Sequence, residues 1–258
     1  MDNVNGGPMA LPDVQRVSLA DIGICLKSGW RDFLSAPLFG LFFSAIYVAG
    51  GVLMWWVFAA AGQEWWLMPV VVGFPLLAPF AAVGLYEVSR RIEANEKLAW
   101  GAVLGVVFSQ KDRQIPSIAM VILLMFMFWV FVAHTIFALF MGLSAMTNVT
   151  SSLSLLLEGN GPVMLLVGTA IGAAFALVLF SITVAGLPLL VDRDVDFVTA
   201  MIVSVQCVLA NVGTMLIWGV TIAALLFAGM LPLFLGLFVA LPVLGHASWH
   251  MYRKLLAG

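Results

Sequence analysis

The three histidines of this chain are the side chains best suited to bind a metal ion or a haem. His246 and His250 are four residues apart, so a helix would place both imidazoles on one face, a spacing that can hold one metal ion. The glutamate of a His-Glu-x-x-His motif is missing between them, which favours hydrogen bonds to neighbouring loops or contacts with lipid headgroups. For His134, between Ala133 and Thr135, we favour a neutral imidazole bonded to a neighbouring helix, with haem or metal ligation as the alternative.

The histidines also lie at depths too different for a single site. At a rise of ~1.5 Å per residue, His134 lies about 25 Å from the start of its apolar run, whereas His246 lies about 9 Å from the end of its own. We therefore expect no catalytic residue, no metal and no cofactor. His134, His246 and His250 remain only as weak metal candidates.

Polar and aromatic side chains gather where the apolar runs end. In these stretches charged residues or histidines stand beside aromatic rings. Because the stretches would meet on one side of a membrane, we predict a polar cluster that links distant parts of the chain. Its predicted members are Trp30, Arg31, Asp32, Tyr86, Glu87, Arg90, Arg91, Asp192, Arg193, Asp194, His246, His250, Tyr252 and Arg253.

The composition indicates a membrane protein. Hydrophobic residues make up 63% of the chain and charged residues 9%, with a mean hydropathy of +1.12, against about 45–50% and 25% in soluble domains. A single core cannot bury this much apolar surface, so lipid must be the solvent for most of the chain. Nothing in the net charge of -2 indicates a nucleic-acid partner, and none is expected. Cys25 and Cys207 lie far apart, without the spacing of a disulfide framework or a zinc site.

The predicted fold class is an all-α membrane protein with six transmembrane helices. Each apolar run approaches or exceeds the ~18 residues that mark a helix able to cross a bilayer. The predicted spans are about 37–61, 67–86, 117–143, 162–187, 212–230 and 231–250.

The spans form three predicted repeats, each an amphipathic surface helix followed by two spans. The clearest surface helix starts at Ser18, where Ser18 and Asp21 resemble a capping box. Weaker helical patterns cover 98–108 and 198–209. The repeat units are about 18–91, 92–194 and 195–258, within one membrane domain at 18–258 that follows a flexible, uncleaved segment at 1–17.

The basic residues predict the orientation of the spans. All eleven lysines and arginines fall before span one, between spans two and three, between four and five, or after six. Basic residues in short loops mark the cytoplasmic side. We therefore predict a multi-pass protein of a bacterial inner membrane with both termini in the cytoplasm.

Function is constrained chiefly by what the spans lack. No aspartate, glutamate, lysine or arginine lies deep in them, which argues against a proton-coupled carrier. Our leading hypothesis is a non-enzymatic membrane protein, an accessory or assembly component of a larger respiratory-type complex whose partners are lipid and other membrane subunits. The alternatives are a facilitator or transporter of a small or lipidic solute, suggested by proline-broken span ends, and a haem- or metal-binding subunit.

Several motifs carry a resemblance to a known family: 26–33 with Pro37, 73–79 with 84–91, 188–194, and 245–250 with Tyr252 and Arg253. On these motifs the chain resembles a family of uncharacterised bacterial six-span integral membrane proteins, a domain of unknown function. Some members of that family are labelled cytochrome c oxidase subunits, and the resemblance implies the label without a mechanism. Three histidines cannot supply the six imidazoles of a haem-copper catalytic subunit, so we exclude oxygen reduction by this chain alone.

Overall fold

The structure, a computed structural model, describes residues 13–60, 70, 72–109, 114–142, 158–232 and 234–256. Within these ranges the regular secondary structure is helical. Some residues of the predicted segments lie outside the described residues: 1–12 of the N-terminal segment, 61 of the first predicted span, 67–69 and 71 of the second, 143 of the third and 233 of the sixth. The helices are α1 (Leu19–Ser35), α2 (Pro37–Ala60), a 3₁₀ helix (Phe74–Leu77), α3 (Ala78–Glu93), α4 (Trp100–Ser109), α5 (Ile115–Met141), α6 (Gly161–Thr183), α7 (Gly186–Asp192), α8 (Phe197–Ala210), α9 (Val212–Met230) and α10 (Leu237–Leu255).

Local sequence accounts for the ends of α1. The Ser18 backbone N–H donates to Asp21 Oδ2 at 2.8 Å, which forms the capping interaction expected from the sequence. At the other end the Ala36 N–H donates to the carbonyls of Asp32 and Phe33, and α2 then starts at Pro37. A proline tolerates this first helical position because the amide there has no partner within the helix.

Among the described residues, four helical segments are long and apolar enough to cross a membrane. They are Pro37–Val57, Ile115–Met141, Gly161–Asp192 and Val212–Met230. These segments agree with the first, third, fourth and fifth predicted spans. The described part of the chain is therefore all-helical, with several apolar helices of membrane-spanning length.

The regions of the second and sixth predicted spans differ from the expected boundaries. The second contains the 3₁₀ turn and then α3, only 16 residues long, which continues past the predicted end at residue 86 to Glu93. The prolines at Pro75 and Pro79 lack the amide that would extend one regular helix through the region. The sixth begins late, at Leu237, because residues 231–232 and 234–236 form turns in which Phe234 has φ 65°.

Helix α10 lies at the centre of the molecule and packs against α1, α2, α3 and α9. Most of its side chains are buried, including both apolar and polar ones. Glycines allow the closest contacts: a Cβ on Gly29 of α1 would lie 2.5 Å from the carbonyl oxygen of Val243, and one on Gly245 would lie 2.5 Å from Leu85 Cδ1. The polar residues near the end of α10 are therefore held against α1 and α3.

Candidate functional site

A buried hydrogen-bonded group joins α1, α3 and α10. Ser89 Oγ lies 2.9 Å from Asp32 Oδ2 and 2.7 Å from His246 Nδ1. His250 Nε2 lies 2.8 Å from the same carboxylate oxygen. Ser89 and His246 have no exposed surface, and Asp32 is 5% exposed. We call Asp32, Ser89, His246 and His250 the Asp32 network.

The carboxylate is the electrostatic centre of the Asp32 network. Burial is the largest single influence on Asp32 and opposes its ionisation. The bond from His250, the charge of His250, the bond from Ser89 and the charge of His246 together outweigh burial, so the pKa of Asp32 lies below its ordinary value. One hydroxyl proton cannot serve two acceptors at once. If Ser89 donates to Asp32, His246 Nδ1 must carry the proton that completes the chain of bonds.

Glu87 is a second buried carboxylate on α3, with 1% of its surface exposed. It accepts from Arg90 Nε at 2.8 Å and from Arg91 Nε at 2.6 Å. Both arginines also reach Glu96, at 3.3 Å and 3.2 Å. The charge on Glu87 is thus compensated at the end of its own helix.

A third set of contacts connects the end of α10 to α3 and α7. Trp249 Nε1 donates to Glu93 at 2.9 Å, and Arg253 Nε donates to the other oxygen of Glu93 at 3.1 Å. The Tyr252 hydroxyl donates to Asp192 at 2.7 Å, and Arg253 lies 3.6 Å from Asp192. We call these five residues the Glu93 network. It adjoins the Asp32 network along α10, and we refer to this end of the molecule as the polar end.

The remaining predicted cluster members lie around these networks. Trp30 is 46% exposed and packs on the ring of Phe33, and Arg31 contacts Ser28 on α1 at 3.3 Å. Arg193 lies 3.8 Å from Asp192, and Asp194 is on the surface beside it. Tyr86 is buried, but it faces an apolar cleft. The structure thus brings Asp32 together with His246 and His250, and Asp192 with Tyr252 and Arg253. The ring contact of Trp30 and the hydrogen bond of Arg31 lie within α1.

His134 belongs to α5 and takes no part in the Asp32 network. It is 9% exposed on α5, and its Nδ1 lies 2.7 Å from the carbonyl oxygen of Val130, one turn earlier in the same helix. The sequence predicts a hydrogen bond from His134 to a neighbouring helix. The hydrogen bond of Nδ1 is instead made within α5. In the described part of the chain no three His, Cys, Asp or Glu side chains are arranged as a metal-binding group.

Sequence analysis missed three polar residues that make these contacts. Ser89 and Glu93 bond to residues more than 150 positions away, so no local pattern could identify them. Asn211 accepts from the Val17 N–H at 2.8 Å and donates to the Gln15 carbonyl at 3.0 Å. The last residues of the N-terminal segment are therefore hydrogen-bonded to the start of α9.

The apolar part of the molecule contains a cleft of about 700 Å³. Its walls come from the 3₁₀ helix and from α3, α5, α6, α7, α9 and α10. On α6 it extends from Met164 to Thr183, which at ~1.5 Å per residue corresponds to about 28 Å. The hydrocarbon core of a bilayer is ~30 Å thick, so the cleft follows nearly the whole length of a span.

The inner wall of the cleft is buried and its outer edges are exposed. Met215 and Leu187 on the inner side are 0% and 2% exposed, whereas Val220 and Leu177 on the edges are 68% and 42% exposed. Small residues widen it, and a Cβ on Gly168 would meet nothing within 4 Å. The cleft is therefore open to the surroundings of the apolar helices.

The lining is almost entirely apolar. It contains no aspartate, glutamate, lysine or arginine among the described residues. Its side chains with polar atoms are Tyr86, Trp129, His134, Thr169, Thr183 and Ser248. Such a lining suits a hydrophobic ligand with few polar groups.

The middle of the chain, which contains α3 to α7, matches a known family. Residues 67–192 match the family DUF2189, described as predicted integral membrane protein. The DUF2189 match agrees with the resemblance to an uncharacterised membrane family, and with the apolar helices in this part. Its description carries neither the oxidase label nor a number of spans. No curated protein and no solved structure matches the chain.

Proposed function

We propose that this protein is a non-enzymatic integral membrane protein that binds a lipidic molecule in the cleft. One observation carries the proposal: a cleft of about 700 Å³ with an uncharged lining lies along three of the four apolar helices. Ligand pockets typically measure ~300–1,000 Å³ and are mostly apolar. The volume and the lining are therefore those of a ligand site.

The position of the cleft favours a ligand that comes from the bilayer. Its exposed edges, such as Val220 and Leu177, belong to helices of membrane-spanning length and would face acyl chains. A polar solute would leave water and meet an apolar wall without compensating bonds. A lipidic molecule can enter sideways and exchange one apolar surrounding for another.

The proposed topology has six spans in three units, with both termini in the cytoplasm of a bacterial inner membrane. The order of the helices supports it, because α1, α4 and α8 each precede a long apolar helix and a further helix. In this arrangement α3 and α10 are the second helices of their units, and the networks at the polar end lie on the cytoplasmic side. The concentration of arginines there supports this orientation.

An accessory or assembly role in a membrane complex stays a prediction from the sequence. Copurification from gently solubilised membranes tests it. A protein that always elutes alone at its own mass would count against that role.

Lipid binding is tested by extracting the purified protein with organic solvent and identifying bound molecules by mass spectrometry. Gly168→Leu places an apolar side chain into the cleft, where a Cβ meets no neighbour. Gly50→Leu is the matched control, because Gly50 lies in α2 with equally open space and does not line the cleft.

We expect wild type and Gly50→Leu to retain the same lipid in stoichiometric amount and Gly168→Leu to lose it. Equal retention by all three proteins, or retention by none, rejects the proposal.

A further inference from the structure

Two unpaired hydroxyls line the cleft. Tyr86 and Ser248 are 5% and 7% exposed, and both belong to the lining. Neither makes a hydrogen bond within the part of the chain that the structure describes. Neither hydroxyl oxygen is sealed inside the protein, so both can bond to a ligand in the cleft. In an apolar cleft a polar group without a hydrogen-bond partner is unfavourable.

The two hydroxyl-bearing residues lie at the same level of the molecule. Helices α3 and α10 touch where Leu85 meets Gly245, and a Cβ there would lie 2.5 Å from the leucine side chain. Tyr86 and Ser248 follow these residues by one and three positions, within one helical turn of the contact. Ser89 and His246 of the Asp32 network follow Tyr86 by three positions on α3 and precede Ser248 by two on α10, so both hydroxyls lie at the end of the cleft nearest the polar end.

The charges beyond this end are already compensated. Glu87, next to Tyr86 in sequence, is paired with Arg90 and Arg91. Asp32 is bonded to His250 and Ser89. A carboxylate or phosphate brought into the lining would meet no lysine or arginine among the described lining residues, and a buried uncompensated charge is strongly unfavourable.

We infer that the ligand of the cleft is an uncharged lipid with one small polar group, such as a long-chain or isoprenoid alcohol, and that Tyr86 and Ser248 bond to that group. The inference rests on the proposed lipid-binding function and narrows it to one chemical class. The apolar chain occupies the cleft from this end towards His134. The hydroxyl or carbonyl oxygen of the ligand supplies the partner that Tyr86 and Ser248 lack.

The test uses the purified full chain and three photoreactive probes with the same hydrocarbon chain. One probe ends in an alcohol, one in a carboxylate and one in a phosphodiester. Cross-linking yield against probe concentration gives relative affinities, and mass spectrometry maps the labelled residues. We expect the alcohol to bind at least roughly tenfold more tightly than either charged probe.

Three variants test which residues bond to the polar group of the ligand. Tyr86→Phe and Ser248→Ala each remove one oxygen, and we expect each to weaken binding of the alcohol about three- to tenfold. Thr169→Val is the control inside the cleft, since it removes a hydroxyl about four helical turns before Thr183 at the end of α6, and it should leave affinity unchanged. Thermal unfolding of each variant establishes that it is folded.

The possible results distinguish the chemical class of the ligand from lipid binding itself. Equal binding of the carboxylate and the alcohol overturns the uncharged class while cleft binding stands. Unchanged affinity in folded Tyr86→Phe and Ser248→Ala shows that these two hydroxyls do not bond to the polar group of the ligand. Failure of all three probes to label the cleft rejects the lipid-binding function itself.

Discussion

The hydroxyl of Ser89 lies 2.7 Å from Nδ1 of His246, inside the contact between α3 and α10. Neither residue has exposed surface, so water cannot replace the bond if one partner is removed. We expect Ser89→Ala to lower the free energy of unfolding by ~1–3 kcal/mol, because it leaves the imidazole nitrogen unpaired. Thermal and denaturant unfolding in detergent measure this loss.

Ser44→Ala is the control for that substitution. Ser44 is also fully buried, and its hydroxyl has no hydrogen-bond partner among the described residues. Its removal should be neutral or slightly stabilising. If the two variants lose equal stability, the bond between Ser89 and His246 contributes nothing.

The pH dependence of stability should report on Asp32. Although burial opposes ionisation, His250, its charge and Ser89 together keep the pKa of Asp32 below its ordinary value of ~3.9, and His246 also faces it. The stabilisation is therefore complete above about pH 4 and is lost as the pH falls below that value. We expect stability to fall more steeply with acidification in wild type than in Asp32→Asn. Parallel pH profiles would contradict the assigned ionisation.

The close contact between α1 and α10 predicts a sharp difference between two glycines of α1. A Cβ on Gly29 would lie 2.5 Å from the Val243 carbonyl oxygen and 2.6 Å from the Ala247 nitrogen, and backbone atoms cannot rotate away. We expect Gly29→Ala to be destabilising by ~1–3 kcal/mol. Gly23→Ala meets nothing within 4 Å and should be stabilising by up to about 1 kcal/mol. Reversal of this order in unfolding experiments would show that the helices do not pack as described.

Both cysteines should resist thiol reagents in the folded protein. They are completely buried, and burial raises the pKa of Cys25 to about 11 and that of Cys207 to about 12. The thiolate is the reactive form, so little reaction is expected at neutral pH until the chain is denatured. Lys27→Cys, on the exposed face of α1, is the reactive control. Modification of Cys25 at the rate of that control would mean that α1 is not held against α10.

Sequence analysis was most successful where a local signal decides the structure. The start of α1 follows from the Ser18 and Asp21 pair, and α2, α5 and α9 follow from long apolar runs. The second and sixth spans were less predictable. In α10 polar residues such as His246 and Trp249 are buried by other helices, so hydropathy does not reveal its ends.

The candidate site was only partly predictable for a different reason. Paired aromatic and charged residues indicated that Asp32, His250 and Arg253 belong to polar surroundings. Their partners Ser89 and Glu93 depend on how distant helices align, which no spacing in the sequence encodes. The cleft depends on the distances between α6, α9 and α10 and has no motif of its own.

The central place of α10 sets the order in which the protein can assemble. Its residues leave the ribosome after α1, α2 and α3 have been synthesised, yet those helices bury much of their inner surface against it. The partners of two carboxylates, His250 for Asp32 and Trp249 for Glu93, are synthesised more than 150 residues later. Insertion of the early helices and completion of the fold are therefore separate events, and the nascent chain carries unpaired polar groups between them.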